Sequence, residues 1–317
     1  MRIARSLAEA AGFDPVAVTI GNFDGVHAGH RQLLNEVKRA AVEKGLQPAV
    51  LTFDPHPASI VAPQRASRLL TTPAERCSVM AREGIEYVLV LPFTREVANW
   101  TPDEFVERVL AKALRARVVV VGDNFRFGHN QAGDVNVLAR LGERFGFATR
   151  VVAPVRRRGR VVSSSEIRRA VEAGKVMLAG RLLGRPYGAE GVVVPGHGVG
   201  SKQAVPTLNL RTHAQVLPLN GVYITRTHDL DSRRLWNSIT NLGYRPTFDG
   251  RELSLETFLL DPLEPPTPSR IRVEFLRRVR EERKFESPEA LKAQILRDVG
   301  RARTYFRRLQ SRVKFAS

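Results

Sequence analysis

The sequence predicts two domains: a doubly wound α/β domain with a parallel sheet, then a small all-β barrel with a C-terminal helix. Three observations lead to this fold class. Apolar runs alternate with helical patterns in the first half, short β-branched runs alternate with Gly- and Pro-containing turns in the second, and one long amphipathic pattern ends the chain. The 317 residues are enough for two domains of ordinary size.

The first domain consists of four apolar runs separated by helical patterns. The runs are Val16–Ile20, Ala49–Phe53, Tyr87–Leu91 and Val118–Val121. Between the first two, residues 31–43 place Leu33, Leu34, Val37 and Ala41 on one helical face. Near-continuous apolar strands joined by helices indicate a parallel sheet covered on both sides, with its ligand at the carboxyl ends of the strands. We expect this domain to span residues 1–183.

The second domain is predicted to span residues 184–317, after a linker near Gly184. Its strand-like runs are Gly191–Val194, Gly221–Thr225, Leu253–Leu260 and Ile271–Phe275. Ser287 is the expected N-cap of the final helix, and Pro288 suits its first position. The apolar stripe of this helix, expected to pack on the barrel, consists of Leu291, Ile295, Val299, Ala302, Phe306 and Leu309.

Composition indicates the compartment. No apolar run is long enough for a membrane span, and the N-terminus lacks the apolar region of a signal peptide. The single cysteine, Cys77, excludes an internal disulfide and any zinc site built from several cysteines. These features predict a cytoplasmic protein that does not associate with membranes.

The net charge is strongly positive. Fifty Lys and Arg residues against 32 Asp and Glu give a formal charge of +18 and a pI near 11.0. One interpretation is a polyanionic partner, either nucleic acid or phosphorylated small molecules; the other is a general preference for arginine on solvated faces. Clusters occur at residues 156–160 and in the final helix, without a known nucleic-acid-binding motif, so nucleic acid is not expected as the main partner. The oligomeric state is not indicated.

The motif GNFDGVHAGH, residues 21–30, places His27 and His30 at a strand-to-helix corner. Three interpretations are open. The pair could ligate a metal with Asp24, the histidines could be satisfied core residues, or the corner could bind an anion. The third is favoured because a glycine corner at a helix N-terminus exposes backbone N–H groups, and imidazoles there can donate hydrogen bonds to phosphate oxygens.

His27-Ala28-Gly29-His30 resembles the HxGH signature of the nucleotidyltransferase superfamily. The motifs around it resemble, in order, blocks of the adenylyltransferase half of the prokaryotic bifunctional riboflavin kinase/FMN adenylyltransferase (FAD synthetase) family. They are GNFDGVHAGH (21–30), LTFDPHP (51–57), VGDNFRFGHNQAGD (121–134) and SSSEIR (163–168). The second half is similar to the riboflavin kinase module of the same enzymes, in GVVVPGHGVG (191–200), VPTLNL (205–210), GVYIT (221–225), NLGYRPTF (241–248) and SLETFLLD (254–261).

This resemblance implies a nucleotidyltransferase-like first domain, a riboflavin kinase-like second domain and two reactions. Riboflavin and ATP would give FMN, and FMN and a second ATP would give FAD and pyrophosphate, with Mg²⁺ as cofactor. For the adenylyl step it implies His27 and His30 as catalytic residues. The implied ATP-binding residues are Gly21, Phe23, Gly29, Ser163, Ser164 and Arg168, and the flavin-binding ones are Asn22, Asp24, Asp123, Asn124 and Arg126. Phe125 and Phe127, beside the last three, are equally well explained as core residues.

For the kinase step the resemblance implies Glu256 as the general base, with Thr207 and Asn209 holding Mg²⁺ and the phosphates of ATP. Without it, Glu256 would be an ordinary surface strand residue, and Pro206-Thr207 the start of an ordinary β-turn. The glycine-rich loop before Thr207 is not a Walker A loop, because Ser201 replaces its second glycine. Its Gly196, Gly198 and Lys202 are nevertheless expected to contact ATP phosphates.

The chain departs from the family pattern at several positions. Ser165 and Glu166 stand where the family often has Thr and Arg, and Phe258 stands where many relatives have His. Val205 replaces the commoner Phe, and residues 201–204 differ from the usual loop. All proposed catalytic residues are retained. Two rival hypotheses are an enzyme with one active half, and an RNA-associated protein that merely retains a nucleotide-binding fold.

Overall fold

The computed structural model describes residues 1–157, 159–195, 207–232, 234–247 and 250–314. The chain divides into two compact units, Met1–Ser164 and Ser165–Ser317. This division falls before the domain boundary expected at residue 183, because two helices that follow Ser163 group with the second unit. No helix among the described residues is long and apolar enough to cross a membrane.

A six-stranded sheet forms the centre of the first unit. Its strands are β1 (Arg2–Ala4), β2 (Val16–Ile20), β3 (Gln47–Asp54), β4 (Tyr87–Pro92), β5 (Val118–Gly122) and β6 (Ala148–Val152). They lie in the order β1-β4-β3-β2-β5-β6, and every pair is parallel. The doubly wound sheet is thus confirmed. Strands β3 and β4 are added on one side of β2, and β5 and β6 on the other, so the strand order reverses between β2 and β5, which is where ligands bind in such sheets.

Helices cover both faces of this sheet. They are α1 (Leu7–Ala10), α2 (Ala28–Lys44), α3 (Pro57–Val61), α4 (Pro73–Arg82), α5 (Arg95–Asn99), α6 (Pro102–Phe105) with a π-helical continuation at Val106–Ala113, and α7 (Val135–Phe145). Helix α2 buries Leu34, Val37, Ala40 and Ala41 and ends at Gly45 in the left-handed conformation. Short 3₁₀ turns (Pro63–Arg65, His129–Gln131) and a hairpin, β7 (Arg156–Arg157) with β8 (Arg160–Val161), complete the unit.

The second unit is a closed antiparallel barrel. Helices α8 (Ser164–Glu172) and α9 (Val176–Leu183) precede the strands β9 (Tyr187–Val194), β10 (Thr207–Thr212), β11 (Gly221–Asp229), β12 (Leu235–Thr247), β13 (Gly250–Leu259) and β14 (Arg270–Arg280). The strand order is β10-β13-β12-β11-β14-β9, closed by pairing of β9 with β10. This confirms the predicted barrel. Helix α9 contacts β9 and β14.

Part of the barrel interior is polar. Five hydroxyl side chains with no exposed surface form a hydrogen-bonded chain, Thr227–Ser238–Thr225–Thr240–Thr257, with oxygen separations of 2.8 to 2.9 Å. Each hydroxyl can donate one hydrogen bond and accept another, so every hydroxyl of the chain has at least one hydrogen-bond partner within it.

The final helix, α10 (Pro288–Lys314), packs on the outside of the barrel as predicted. The Ser287 hydroxyl accepts a hydrogen bond from the backbone N–H of Ala290, so the predicted N-cap is confirmed. The buried residues of the helix pack against apolar side chains of β11 and β12, in a cluster formed by Val222, Ile224, Ile239, Val299, Ala302 and Phe306.

Candidate functional site

The HAGH corner lies at the carboxyl end of β2, next to β5. Residues 21–27 connect β2 to α2, and Asp123 and Asn124 follow β5 directly. The connection is conformationally unusual, since φ is positive at Phe23 (51°), Gly25 (79°) and Val26 (41°). Non-glycine residues adopt such angles only where their surroundings enforce them, and such residues concentrate at functional sites.

His27 and His30 cap α2 reciprocally. The Nδ1 atom of His27 accepts a hydrogen bond from the backbone N–H of His30, and the Nδ1 atom of His30 accepts one from the N–H of His27, both at 3.3 Å. Their rings stack with centroids 3.6 Å apart and planes 13° apart. Because each Nδ1 uses its lone pair, the proton of each neutral ring resides on Nε2. The pair therefore presents two Nε2–H donors.

Glycines beside the histidines leave room for aromatic rings. A Cβ atom at Gly29 would lie 3.1 Å from Cε1 and 3.2 Å from Nδ1 of the His27 ring. A Cβ atom at Gly21 would lie 3.2 Å from the ring of Phe23, which is fully buried with its centroid 4.9 Å from that of His30. The absence of a side chain at Gly29 thus leaves space for the ring of His27, a role that the sequence did not indicate.

Asp24 is 3% exposed and binds a neighbouring loop. Its Oδ1 accepts hydrogen bonds from the backbone N–H groups of Leu70 (2.8 Å) and Thr71 (3.2 Å) and from the Thr71 hydroxyl (3.3 Å). Its backbone carbonyl accepts a hydrogen bond from the hydroxyl of Ser164 at 3.0 Å. The carboxylate of Asp24 therefore fixes the loop before α4, in addition to any contact with a substrate.

The backbone of Asn22 is held by two buried side chains that the sequence analysis missed. Its carbonyl oxygen accepts hydrogen bonds from Nη1 of Arg76 at 2.6 Å and from the Thr52 hydroxyl at 3.2 Å. Thr52 lies within the block LTFDPHP (51–57), which assigned it no role, and the sequence signal nearest to Arg76 is the capping box of Thr72 and Glu75 at the start of α4, which predicts a helix and no functional site.

The loop after β5 has its own internal structure. Asp123, Asn124 and Arg126 are exposed, and Phe127 pairs with Gly133 across the loop. The rings of Phe125 and Phe127 stack 5.4 Å apart at the edge of the main core. Both aromatic residues thus pack in the core. The three polar residues predicted to bind flavin are exposed, in the loop that follows the strand next to β2.

On the barrel, Asn209 and Glu256 lie directly opposite each other. Strands β10 and β13 pair antiparallel with Asn209 in register with Glu256, and Asn241 of β12 lies opposite Glu256 on its other side. Opposed residues of antiparallel strands share a face, and so do residues two apart in one strand, which adds Thr207 to the group. Ser254 donates a hydrogen bond to Oε1 of Glu256 at 3.3 Å.

This group lies on the outer face of the barrel. The intervening residues Leu208, Leu255 and Thr257 are buried, whereas Thr207, Asn209 and Glu256 are half-buried. Phe258, which replaces the histidine of many relatives, packs against the apolar cluster under α10. The structure therefore brings together the three residues predicted for the kinase step and explains why an apolar side chain is tolerated at position 258.

The other predicted residues are placed as follows. Ser163 is half-buried just before α8, and Arg168 lies within α8 in the second unit. Gly196, Gly198 and Lys202 lie outside the described residues. Across the described ranges, no group of three or more His, Cys, Asp or Glu side chains is arranged to hold a metal ion.

Comparisons with known proteins agree for both units. Residues 11–166 match the family model described as FAD synthetase, and residues 183–306 match the one described as riboflavin kinase. The chain is 36% identical over 289 residues to a bifunctional riboflavin kinase/FMN adenylyltransferase of Escherichia coli K12, covering 91% of this chain and 92% of that protein. The corresponding protein of Pseudomonas fluorescens is 37% identical over 286 residues, covering 90% and 91%.

A solved structure is similar over almost the whole length. It is titled as a macrolide-efflux protein from Streptococcus pneumoniae and has a TM-score of 0.85 and 29% identity, covering 95% of this chain and 98% of that one. Both family models and the curated relatives describe flavin cofactor synthesis. The chain therefore belongs to the bifunctional riboflavin kinase/FMN adenylyltransferase family, which phosphorylates riboflavin with ATP to FMN and then adenylylates FMN with ATP to FAD and pyrophosphate.

Proposed function

We propose that the two reactions are divided between the two units. FMN is adenylylated at the HAGH corner of the first unit, and riboflavin is phosphorylated beside Glu256 on the second. The observation that carries the first assignment is the reciprocal capping of His27 and His30, which directs both Nε2–H groups away from the backbone. The register of Asn209 with Glu256 supports the second.

In the adenylyl step, the phosphate of FMN attacks the α-phosphorus of ATP, and pyrophosphate leaves. The nucleophile is already anionic, so no side chain becomes covalently modified. The Nε2–H groups of His27 and His30 donate to the oxygens of the α-phosphate, where negative charge increases in the transition state. The N-terminus of α2 adds the positive end of its dipole and the backbone N–H groups of its first turn.

The remaining predicted residues bind the substrates of this step. Gly21, Phe23 and Gly29 shape the ATP site, and Ser163 and Ser164 hold the triphosphate. The flavin-binding residues are Asn22 and Asp24 in the corner, with Asp123, Asn124 and Arg126 in the loop after β5. The adjacency of β2 and β5 supports this grouping, because it places both loops at the same edge of the sheet.

In the kinase step, Glu256 accepts the proton of the riboflavin 5′-hydroxyl as that oxygen attacks the γ-phosphorus of ATP. The new bond is between the hydroxyl oxygen and the γ-phosphorus, and the bond to ADP breaks. Ser254, through its hydrogen bond to Oε1, orients the carboxylate. General-base assistance of this kind contributes about 10²–10⁴ in rate.

Mg²⁺ fits the same face of the barrel. The hydroxyl of Thr207 and the amide oxygen of Asn209 are hard oxygen donors beside a carboxylate, the chemistry that Mg²⁺ prefers. Bound there with ATP, the ion neutralises charge on the phosphates. We further propose that Gly196, Gly198 and Lys202 contact the phosphates of ATP.

The proposed compartment of the protein is the cytoplasm.

Separate assays of two variants test the division of labour. His30→Ala is expected to lower FAD formation from FMN by about 10²–10³, the cost of one preorganised donor, and to leave riboflavin phosphorylation intact. Glu256→Gln keeps the shape of the side chain and removes its basicity, so phosphorylation is expected to fall at least about a hundredfold with adenylylation unchanged.

The exposed residues His213 and Glu264 provide matched controls. His213→Ala and Glu264→Gln are expected to keep both activities. Equal loss of both activities in a folded His30→Ala variant contradicts the division between units. Phosphorylation at the wild-type rate in Glu256→Gln shows that another group, or water, takes the proton.

A further inference from the structure

Arg76 carries a deeply buried charge next to the HAGH corner. It is the largest of the fully buried side chains, with 1% of its surface exposed. Within the part of the chain that the structure describes, Nη1 makes its hydrogen bonds while Nε and Nη2 have no partner. Burial lowers the pKa of Arg76, and the nearby carboxylates of Asp24 and Asp54 oppose this effect. Burying an incompletely paired cation is costly, which points to a task beyond stability.

Arg76 and Thr52 both donate hydrogen bonds to one backbone carbonyl. Nη1 donates to the carbonyl oxygen of Asn22 at 2.6 Å and contacts the hydroxyl of Thr52 at 3.4 Å. The Thr52 hydroxyl donates to the same carbonyl at 3.2 Å. Hydrogen bonds from a charged donor are shorter and stronger than neutral ones. The peptide between Asn22 and Phe23 is therefore held by both α4 and β3.

This peptide starts the turn that carries the positive φ angles. Phe23 follows it at φ 51°, and the turn continues through Gly25 to Val26, whose N–H donates to the carbonyl of Phe23 at 3.0 Å. The ring of Phe23 in turn lies against that of His30. Because these angles are unfavourable without external support, the orientation of the Asn22 carbonyl determines where Phe23 and His30 lie.

We propose that Arg76 is a positioning residue of the adenylyl-transfer site. Its guanidinium fixes the Asn22 carbonyl, and through it the turn to Val26, so that His27 and His30 face the nucleotide. The inference rests on the proposed function of the HAGH corner. Arg76 lies outside every sequence block that carries the family resemblance. Holding the Asn22 carbonyl in this way requires a cationic side chain at that buried position.

Steady-state kinetics of the full-length chain test this role. Arg76→Met removes the charge and both hydrogen bonds, Arg76→Lys retains a cation with one flexible donor group, and Arg82→Met is the control because Arg82 is exposed on the same helix. For Arg76→Met we expect kcat of adenylylation to fall about 10²-fold, the scale for small misplacement of catalytic groups, with smaller changes in KM for ATP and FMN. Arg76→Lys should recover part of kcat, while riboflavin phosphorylation stays at the wild-type rate in all three.

A double-mutant cycle with His30→Ala separates positioning from general stability. If Arg76 acts through His30, the double variant is little slower than His30→Ala alone. The inference is overturned if the rate losses of the two single variants multiply fully in the double variant. It is also overturned if Arg76→Met changes only KM or has a normal kcat. A normal adenylylation rate in His30→Ala overturns the proposed function and this inference with it, whereas a slow His30→Ala with a normal Arg76→Met overturns the inference alone.

A second variant covers the case in which Arg76→Met does not fold. Thr52→Val removes the other donor to the Asn22 carbonyl and keeps the size of the side chain. Thr52→Val and Arg76→Lys, each as a single variant, are expected to lower kcat of adenylylation without affecting riboflavin phosphorylation. Wild-type kcat in both variants shows that the Asn22 carbonyl does not control the site.

Discussion

The imidazole rings of His27 and His30 stack with centroids 3.6 Å apart, and each Nδ1 accepts the backbone N–H of the other residue. The pair therefore caps α2 and presents two Nε2–H donors at the same time. Capping can be retained while the donors are removed, because several small polar side chains cap helices well. This separation makes the role of each histidine testable.

We expect His27→Asn to preserve the cap of α2 and to lose most of the adenylylation activity. Asparagine is among the best N-cap residues, so the thermal unfolding midpoint should stay close to that of the wild type. FAD formation should fall by about 10²–10³ because the Nε2–H donor is gone. The companion variant His27→Ala should lose about 1 kcal/mol of stability as well. An active His27→Asn enzyme means that His27 is only a cap.

Gly29→Ala should damage adenylylation without destabilising the fold. The new Cβ atom would lie 3.1 Å from the His27 ring and displace it, and a small displacement of a catalytic group can cost about 10² in rate. Alanine otherwise favours a helix over glycine by about 0.5–1 kcal/mol. Gly300→Ala in α10 is the control, since its Cβ meets nothing within 4 Å. Normal FAD formation by Gly29→Ala contradicts tight packing at this position.

Asn209→Ala should raise the Mg²⁺ requirement of the kinase reaction. Loss of even an outer partner of a metal site costs about 10–100-fold in affinity, so half-maximal phosphorylation should need at least about tenfold more Mg²⁺. The check is a Mg²⁺ titration of riboflavin phosphorylation at fixed ATP, with the titration of FMN adenylylation by the same variant as internal control. An unchanged titration curve excludes Asn209 as a ligand.

Cys77 should be unreactive in the native protein. It is a free, buried thiol in α4, and burial raises its pKa, although Arg76 and Arg5 act in the opposite direction. A raised pKa means less thiolate at a given pH, and the thiolate is the reactive form. Ellman's reagent at pH 8 should label Cys77 slowly in the native state and rapidly in denaturant. Fast native labelling indicates local opening of α4.

Fragments that begin at residues 165 and 184 should differ in stability. Helix α9 buries Val176, Ala179, Leu182 and Leu183 and contacts β9 and β14. Each buried aliphatic side chain of valine or leucine size contributes about 1.5–3 kcal/mol, so the shorter fragment should unfold at a clearly lower temperature. The stability of each fragment is measured by circular dichroism melting, and its activity by riboflavin phosphorylation. Equal melting temperatures favour residue 183 as the functional boundary.

Much of the fold follows from local patterns. The run Val16–Ile20 is apolar except for Thr19 because β2 is buried on both faces of a parallel sheet, and the alternating residues of β14 reflect a barrel with one face inward. The HAGH corner was also recognisable, because its glycines and histidines are consecutive in the chain. The resemblance added the roles of Thr207, Asn209 and Glu256, for which local sequence favours no function.

Contacts between distant parts of the chain were decided only by tertiary structure. Arg76 and Asn22 are 54 residues apart, and no local pattern pairs a helical arginine with a loop carbonyl. Whether Asn209 faces Glu256 depends on strand register, since a slip of one residue would turn Glu256 into the barrel interior.

The sequence by itself thus determined the two fold classes, the helix caps and the residues of the HAGH corner, because short-range sterics and the periodicity of apolar burial encode them. Tertiary structure decided what holds the Asn22 carbonyl, the register that places Asn209 opposite Glu256, and the grouping of α9 with the barrel. These features depend on hydrogen bonds and packing between segments far apart in the chain, and their partners are defined only once the chain has folded.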